Sequence, residues 1–118
     1  MPKVAISDGF LEAYTKLPKT AQNKTRTFTH KFRQNPTSAA INYESIHGVR
    51  DQRVRTARVD QSYRAVVLHP NKGDVYTLVW VDNHDEAMEW AQRRTFDTNP
   101  ASGALLVTNT IDSQVFVD

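Results

Sequence analysis

The sequence predicts a single small α+β domain, in which two N-terminal helices pack on an antiparallel sheet and a short helix follows the sheet. Two observations lead to this prediction. In the first third of the 118-residue chain, apolar residues recur at helical spacing. From residue 53 onward the spacing changes to the two-residue period of strands, and short polar turns separate the segments. The length is sufficient for one hydrophobic core but not for two.

A short strand at 3–7 begins the chain, and a first helix is predicted at 8–17, with Ser7 or Asp8 as its cap. Pro18 stops this helix and suits the first turn of a second helix at 18–35. The second helix ends before Pro36, because the residue that precedes a proline avoids helical geometry. The apolar residues that face the core are Phe10, Leu11, Tyr14 and Leu17 in the first helix and Ala21, Phe28 and Phe32 in the second.

Strands dominate the middle of the chain. Residues 37–52 are predicted to be irregular, and strands at 53–59, 62–69 and 74–81 are predicted to form an antiparallel meander. Their β-branched and aromatic residues and the polar turns between them are typical of such sheets.

A third helix is predicted at 82–94, where Asn83 can cap the helix and Glu86 is the matching capping-box residue. After Phe96 the composition changes to Asn, Thr, Ser and Gly. We therefore divide the chain into a domain at 1–95 and a tail or linker at 96–118. The apolar triplets at 105–107 and 115–117 leave short strands open as an alternative for this tail.

Composition excludes several classes of function. The chain has no cysteine, so disulfides and thiolate chemistry are excluded, and its four histidines lack the spacing of metal ligands. We therefore expect neither a metal nor another cofactor. No apolar run approaches the roughly 18 residues needed to cross a bilayer, and the N-terminus lacks the apolar core of a signal peptide. These features predict a cytoplasmic protein without a membrane partner.

Charge is distributed unevenly along the chain. Residues 1–64 carry 12 Lys/Arg and 5 Asp/Glu, whereas residues 65–118 carry 3 and 8. This asymmetry favours a basic face that binds a polyanion, although folding can also intermix the charges. The predicted nucleic-acid contacts are Lys24, Lys31, Arg50 and Arg58.

Four residues are candidates for catalysis. Arg53 and Arg55 project to the same face if both lie in one strand, Arg64 lies on the neighbouring strand, and His84 follows the third strand. Arginines can bind phosphate, and a histidine transfers protons near neutral pH. RNA cleavage through the 2′-hydroxyl needs these groups. The alternative is that the arginines protect an edge strand from aggregation and that His84 belongs only to the helix cap.

The remaining histidines and the tryptophans have simpler interpretations. We interpret His30, His47 and His69 as surface or structural residues. Trp80 and Trp90 are predicted to be core residues.

The order of elements and several local motifs resemble the RelE/ParE superfamily of toxins over about residues 3–94. The motifs are Gly48, the basic pair Arg53/Arg55, the dipeptide Tyr63-Arg64 within a strand, and a polar residue between the last strand and a short helix. The resemblance implies a toxin that cleaves mRNA on the ribosome and is neutralised by a cognate antitoxin.

The resemblance also implies roles for individual residues. Arg53 and Arg55 match lysines that act as base or stabilise charge, Arg64 matches an arginine that binds the scissile phosphate, and His84 lies near a second arginine that some relatives replace with a histidine. Two departures weaken the expectation of catalysis. Met88 stands where many active members have a tyrosine that stacks on the substrate, and arginine is a poorer proton acceptor than lysine.

A second resemblance involves the segment NPASGALLV at 99–107, which is similar to the end of the RelE-like N-terminal module of certain UvrD/Rep-like helicases. The chain contains no Walker A motif and cannot hydrolyse ATP through a P-loop. Two alternatives to the ribonuclease toxin therefore stay open. One is a non-catalytic module that binds nucleic acid, including DNA, or a helicase motor domain, and the other is a ParE-like toxin directed at DNA gyrase.

Overall fold

The computed structural model describes residues 2–49, 51–70, 73–98 and 105–109 and confirms the α+β class. Its strands and helices, in chain order, are β1 (Lys3–Ile6), α1 (Asp8–Thr15), α2 (Lys19–Gln34), β2 (Tyr43–Ser45), β3 (Val54–Arg58), β4 (Tyr63–Leu68), β5 (Val75–Asn83), α3 (His84–Gln92), β6 (Arg94–Thr98) and β7 (Leu105–Asn109). A single 3-10 turn at Ala39–Ile41 lies between α2 and β2. None of the described helices is long and apolar enough to cross a lipid bilayer.

The main sheet has five strands in the order β1-β5-β4-β3-β2. The predicted meander of β3, β4 and β5 is antiparallel, as expected. The sheet as a whole is mixed, because β1 pairs in parallel with β5, which corrects the prediction of a wholly antiparallel sheet. Residue periodicity reports which face of a strand is buried but carries no information about strand direction. The segment predicted to be irregular contributes the short edge strand β2.

Helices cover both faces of the sheet. On one face α1 and α2 bury a cluster that includes Phe10, Phe28 and Phe32 against Ala65 and Val67. On the other face α3 packs on a second cluster, which contains Val54, Val66, Leu68, Ala87 and Ala91. Alternate residues of β3 and β4 supply the two clusters, as the strand period requires.

β5 contains an irregularity in its pairing with β4. Val66 is opposite Trp80 and Val67 is opposite Leu78, so Val79 is the extra residue of a β-bulge. The first turn of α1 approaches this bulge closely, since a Cβ on Gly9 would lie 3.3 Å from the carbonyl oxygen of Val79. Trp80 then stacks on Trp90 of α3, with ring centroids 4.8 Å apart. Both tryptophans are half-buried and pack against the α3-side cluster, so they border the core in which they were predicted to lie.

The helix caps match the sequence signals closely. The Ser7 side chain accepts a hydrogen bond of 3.1 Å from the backbone nitrogen of Phe10, so Ser7 and not Asp8 caps α1. The Asn83 side chain accepts a bond of 3.1 Å from the nitrogen of Glu86, as predicted for α3. α3 begins later than predicted, because residues 82 and 83 belong to the end of β5.

The C-terminal segment contains an antiparallel pair formed by β6 and β7. The expected boundary at residue 95 falls inside β6, whose Phe96 is buried in the α3-side cluster. The predicted apolar triplet at 105–107 lies within β7, whereas the triplet at 115–117 lies outside the described residues.

Candidate anion site at the end of the sheet

Strand pairing brings two of the predicted arginines together. Arg58 on β3 is directly opposite Arg64 on β4, and Arg64 is opposite Asp82 on β5. All three residues belong to the sheet face on which α3 packs, because they alternate with residues of the α1/α2-side cluster. Arg58, Arg64 and Asp82 thus form a row across the sheet, at the end of the sheet where α3 begins.

Arg64 is buried, with 9% of its surface exposed. Its Nη1 donates hydrogen bonds to the carbonyl oxygens of Asp60 at 2.6 Å and Tyr63 at 2.9 Å. Its Nε has no hydrogen-bond partner among the described residues, and no described carboxylate pairs with its guanidinium. The nearest acid across the sheet, Asp82, accepts a bond of 2.9 Å from the backbone nitrogen of Asn83.

His84 lies at the same end of the sheet. Its backbone nitrogen donates a 2.8 Å hydrogen bond to the carbonyl oxygen of Ser62, which joins the start of α3 to the turn before β4. Its Nδ1 lies 3.0 Å from Oδ1 of Asp85, and 47% of its side chain is exposed. An imidazole held through Nδ1 keeps Nε2 available for proton transfer.

Arg58 is exposed and forms no ion pair with the described residues. The row therefore offers two guanidinium groups, one buried and one accessible, and an accessible imidazole lies at the same end of the sheet. Such a set can bind a phosphate group and exchange a proton with it.

Arg53 lies elsewhere and has a structural role. β3 begins at Val54, so Arg53 belongs to the preceding turn. At the rise per residue of a strand, the chain extends over about 17 Å between Arg53 and Arg58. Its guanidinium donates to both carboxylate oxygens of Asp51, at 3.0 and 2.7 Å, and to the carbonyl oxygen of Phe96 at 2.6 Å. Burial alone would raise the pKa of Asp51, but the hydrogen bonds and charge of Arg53 hold that pKa below its ordinary value.

Arg55 faces the opposite side of the sheet from Arg58 and Arg64. It is paired with Val67, which belongs to the α1/α2-side cluster, and its Nη1 contacts the carbonyl oxygens of Gln52 and Val54. The structure therefore does not bring Arg53 and Arg55 to Arg64, which corrects the expectation of one shared arginine face. The sequence could not reveal that the strand begins one residue after Arg53.

His69, interpreted as a surface residue, is enclosed by aromatic rings. Its imidazole lies 4.3 Å from the ring of Tyr43 and 5.0 Å from the ring of Tyr76. Burial, and secondarily the charge of Arg55, lowers the pKa of His69. Burial, together with Tyr76, raises the pKa of Tyr43. The spacing of these residues along the chain gave no indication of this cluster, because two strands, β2 and β5, and the end of β4 supply its three rings.

Two of the three remaining predicted nucleic-acid contacts lie on α2, in the layer opposite α3. Lys24 and Lys31 are exposed and seven residues apart, which places them on the same side of the helix. The helix carries five Lys/Arg residues and no acidic residue, and all five are exposed. Arg50 lies outside the described residues. Among the described residues, no three His, Asp or Glu side chains form a group that can hold a metal ion.

Comparison with solved structures identifies the architecture. A chain of the toxin–antitoxin complex RelBE2 from Mycobacterium tuberculosis is 15% identical, with a TM-score of 0.55, over 71% of this chain and 100% of that chain. A chain of the Escherichia coli DinJ–YafQ toxin–antitoxin complex is 13% identical, with a TM-score of 0.55, over 72% of this chain and 94% of that chain. The YoeB/ParE toxin from Agrobacterium tumefaciens is 13% identical, with a TM-score of 0.52, over 70% of this chain and 98% of that chain.

No protein-family model and no curated protein matches the sequence. The likeness to these structures covers nearly their whole length, and it agrees with the order of helices and strands described above. The chain therefore has the fold of the RelE/ParE toxin superfamily.

Proposed function

We propose that this chain is a ribonuclease toxin of a type II toxin–antitoxin system, with RNA on the ribosome as its target and an antitoxin protein as its partner. The observation that supports this most strongly is the pair Arg58 and Arg64. Like charges directly opposite each other destabilise an antiparallel pair, and neither arginine is paired with a carboxylate among the described residues. Such an arrangement suits a site that binds an anion.

The chemistry assigns a different role to each group. Arg58 and Arg64 bind the scissile phosphate and stabilise the charge that develops on it. Arginine does not give up its proton in proteins, so proton transfer belongs to His84. The contact with Asp85 favours a proton on Nδ1 of His84, which leaves Nε2 to accept the proton of the 2′-hydroxyl as its oxygen attacks the phosphorus. The P–O5′ bond then breaks, and the leaving 5′-oxygen takes its proton from water or from the protonated His84.

α2 provides a separate surface for the RNA backbone. Its 16 residues extend over about 24 Å, and its five exposed cations alternate with Thr, Asn and Gln side chains that also donate hydrogen bonds. Because α2 and the arginine pair lie on opposite layers, they contact different parts of a large RNA. Phosphate contacts of this kind supply affinity without sequence preference.

The proposal is tested by inducing the wild-type chain and its Arg58→Ala and His84→Ala variants in a bacterial host while growth is followed. Both side chains are exposed, so neither substitution disturbs the core. Arg93→Ala is the matched control, because Arg93 is an exposed arginine that pairs with Glu89 on α3. We expect the wild type and the control to stop growth and the two site variants to permit it. Equal growth arrest by all four chains would exclude the site.

A non-catalytic binding module is the second candidate, and a specific observation favours it. Arg64 is only 9% exposed, and the carboxylates of Asp82, Asp85 and Glu86 lie at or near the start of α3, where they disfavour a scissile phosphate beside His84. In this alternative the chain binds RNA, DNA, a helicase motor domain or DNA gyrase without cleaving RNA. No growth arrest at good soluble expression would select the silent binding module, whereas growth arrest without new RNA ends would select the gyrase-directed toxin.

A further inference from the structure

The turn between β3 and β4 holds two residues of the candidate site. The carbonyl oxygen of Asp60 accepts the 2.6 Å hydrogen bond from Nη1 of Arg64. The carbonyl oxygen of Ser62 accepts the 2.8 Å bond from the backbone nitrogen of His84. Only Gln61 separates these two carbonyl groups along the chain. The positions of the Arg64 guanidinium and of the first residue of α3 therefore both depend on the shape of one turn.

The side chain of Asp60 fixes the shape of this turn. Its Oδ1 accepts hydrogen bonds of 2.8 Å from the backbone nitrogens of both Ser62 and Tyr63. A side-chain oxygen bonded to the nitrogen two residues further along the chain forms an Asx turn, and an ionised acceptor strengthens such bonds. The backbone nitrogens of Val59 and Asp60 close the same turn on the carbonyl oxygen of Tyr63, at 3.1 and 3.3 Å.

The link from Asp60 to the candidate site runs through the backbone. The carboxylate of Asp60 forms no ion pair within the part of the chain that the structure describes, and its contact with Arg64 is made by the main-chain carbonyl group. The side-chain amide of an asparagine supplies an oxygen acceptor of the same geometry without the charge. Substitution can therefore separate the shape of the turn from the charge of Asp60.

We propose that Asp60 is a positioning residue, which fixes Arg64 and His84 relative to each other through the two carbonyl groups of the turn. Its effect on catalysis rests on the proposed ribonuclease function, whereas its coupling to His84 does not. A displacement of about 1 Å in a catalytic arrangement costs about 100-fold in rate. Because α2 provides a separate surface for the RNA backbone, the loss falls on kcat and not on KM.

The test compares Asp60→Ala with Asp60→Asn in the full chain. Amide hydrogen exchange of His84 is followed by NMR, and cleavage of an mRNA on purified ribosomes gives kcat and KM. We expect Asp60→Ala to speed exchange of the His84 amide at least about tenfold and to lower kcat at least about tenfold, with KM unchanged. Asp60→Asn is expected to keep the exchange rate and kcat within about threefold of the wild-type values.

Asn35→Ala is the matched control. The side chain of Asn35 also forms an Asx turn, with a 3.1 Å bond from the backbone nitrogen of Thr37, but that turn follows α2. We expect this variant to leave His84 exchange and kcat unchanged. If Asp60→Ala does not fold, Asp60→Ser replaces it, because a serine hydroxyl forms the same turn more weakly and is expected to change both quantities in the same direction.

Two results would overturn the inference. The first is unchanged His84 exchange in Asp60→Ala while the Ser62 and Tyr63 amides exchange faster, which assigns Asp60 a purely local role. The second is an equal loss in Asp60→Ala and Asp60→Asn, which assigns the effect to charge. A wild-type chain that cleaves no RNA would contradict the proposed function alone, and His84 exchange in the two variants would then decide the positioning role.

Discussion

Thr56 is a fully buried residue whose hydroxyl group has no hydrogen-bond partner among the described residues. Burial of an unpaired hydroxyl costs free energy that the folded chain does not recover. We expect Thr56→Val to raise the free energy of unfolding by about 1 kcal/mol, as measured by urea unfolding.

Thr25 provides the matched control for this substitution. It is equally buried, but its Oγ1 donates a 2.8 Å hydrogen bond to the carbonyl oxygen of Ala21. Thr25→Val removes that bond and is expected to leave stability unchanged or reduced. A loss of stability in Thr56→Val would show that the Thr56 hydroxyl is bonded in solution.

His69 makes stability depend on pH. Its pKa is lowered in the folded chain by burial and by Arg55, so the unfolded chain binds the proton more readily. The contribution of neutral His69 to the free energy of unfolding is therefore fully present above the ordinary imidazole pKa of about 6.5. This contribution is lost as the pH decreases through that value towards the lower pKa of the folded chain.

Urea unfolding as a function of pH measures this effect. We expect His69→Phe to flatten the dependence of unfolding free energy on pH below about 6.5. His30→Phe, at an exposed position of α2, is the control and is expected to leave the wild-type dependence in place. An unchanged dependence in His69→Phe would assign the effect to another group.

At the scale of elements, Arg53 links the main sheet to β6. Its guanidinium joins the carboxylate of Asp51 to the carbonyl oxygen of Phe96. We expect Arg53→Met to lower the free energy of unfolding by about 1–2 kcal/mol, since hydrogen bonds to charged groups are lost, and to speed amide exchange in β6. Arg55→Met is the matched control, because the guanidinium of Arg55 bonds to the carbonyl oxygens of Gln52 and Val54 and, among the described residues, to no group of β6. Equally fast amide exchange in β6 of the two variants would contradict the proposed link between Arg53 and β6.

The sequence predicted the elements better than their pairing. Capping residues and apolar spacing located α1, α2, α3 and the meander, because these signals are local. The parallel pairing of β1 with β5 was not predictable, since it depends on contacts more than seventy residues apart. For the candidate site, the sequence predicted Arg64 and His84 as catalytic residues, but it grouped them with Arg53 and Arg55 and predicted Arg58 only as a nucleic-acid contact. The turn at 51–53 and the exact start of β3 separate them, and no local signal marks that boundary.

At the scale of the whole molecule, charge separates across the sheet. α2 carries five cations without an acid, whereas α3 carries Asp85, Glu86 and Glu89. We therefore expect α2 to supply most of the affinity for RNA, while Arg58 and Arg64 contact the scissile phosphate on the other side of the sheet. Lys24→Gln and Lys31→Gln should each weaken binding and reduce the slope of log affinity against log salt by about 1, as measured by fluorescence anisotropy.

Lys16→Gln is the control for these variants. Lys16 is an exposed lysine that follows α1 and lies near Glu12, so its replacement is expected to leave both affinity and salt slope unchanged. Equal losses in all three variants would indicate that net charge, not the surface of α2, determines binding.

The proposed ribonuclease function is tested most directly by mapping the ends of an mRNA translated on purified ribosomes in the presence of the purified chain. We predict new 5′ ends with the wild-type chain and their loss with His84→Ala and Arg58→Ala, while Arg93→Ala retains them. The absence of new ends with a folded wild-type chain, or unchanged cleavage by His84→Ala, would contradict the assignment of the catalytic site to this end of the sheet.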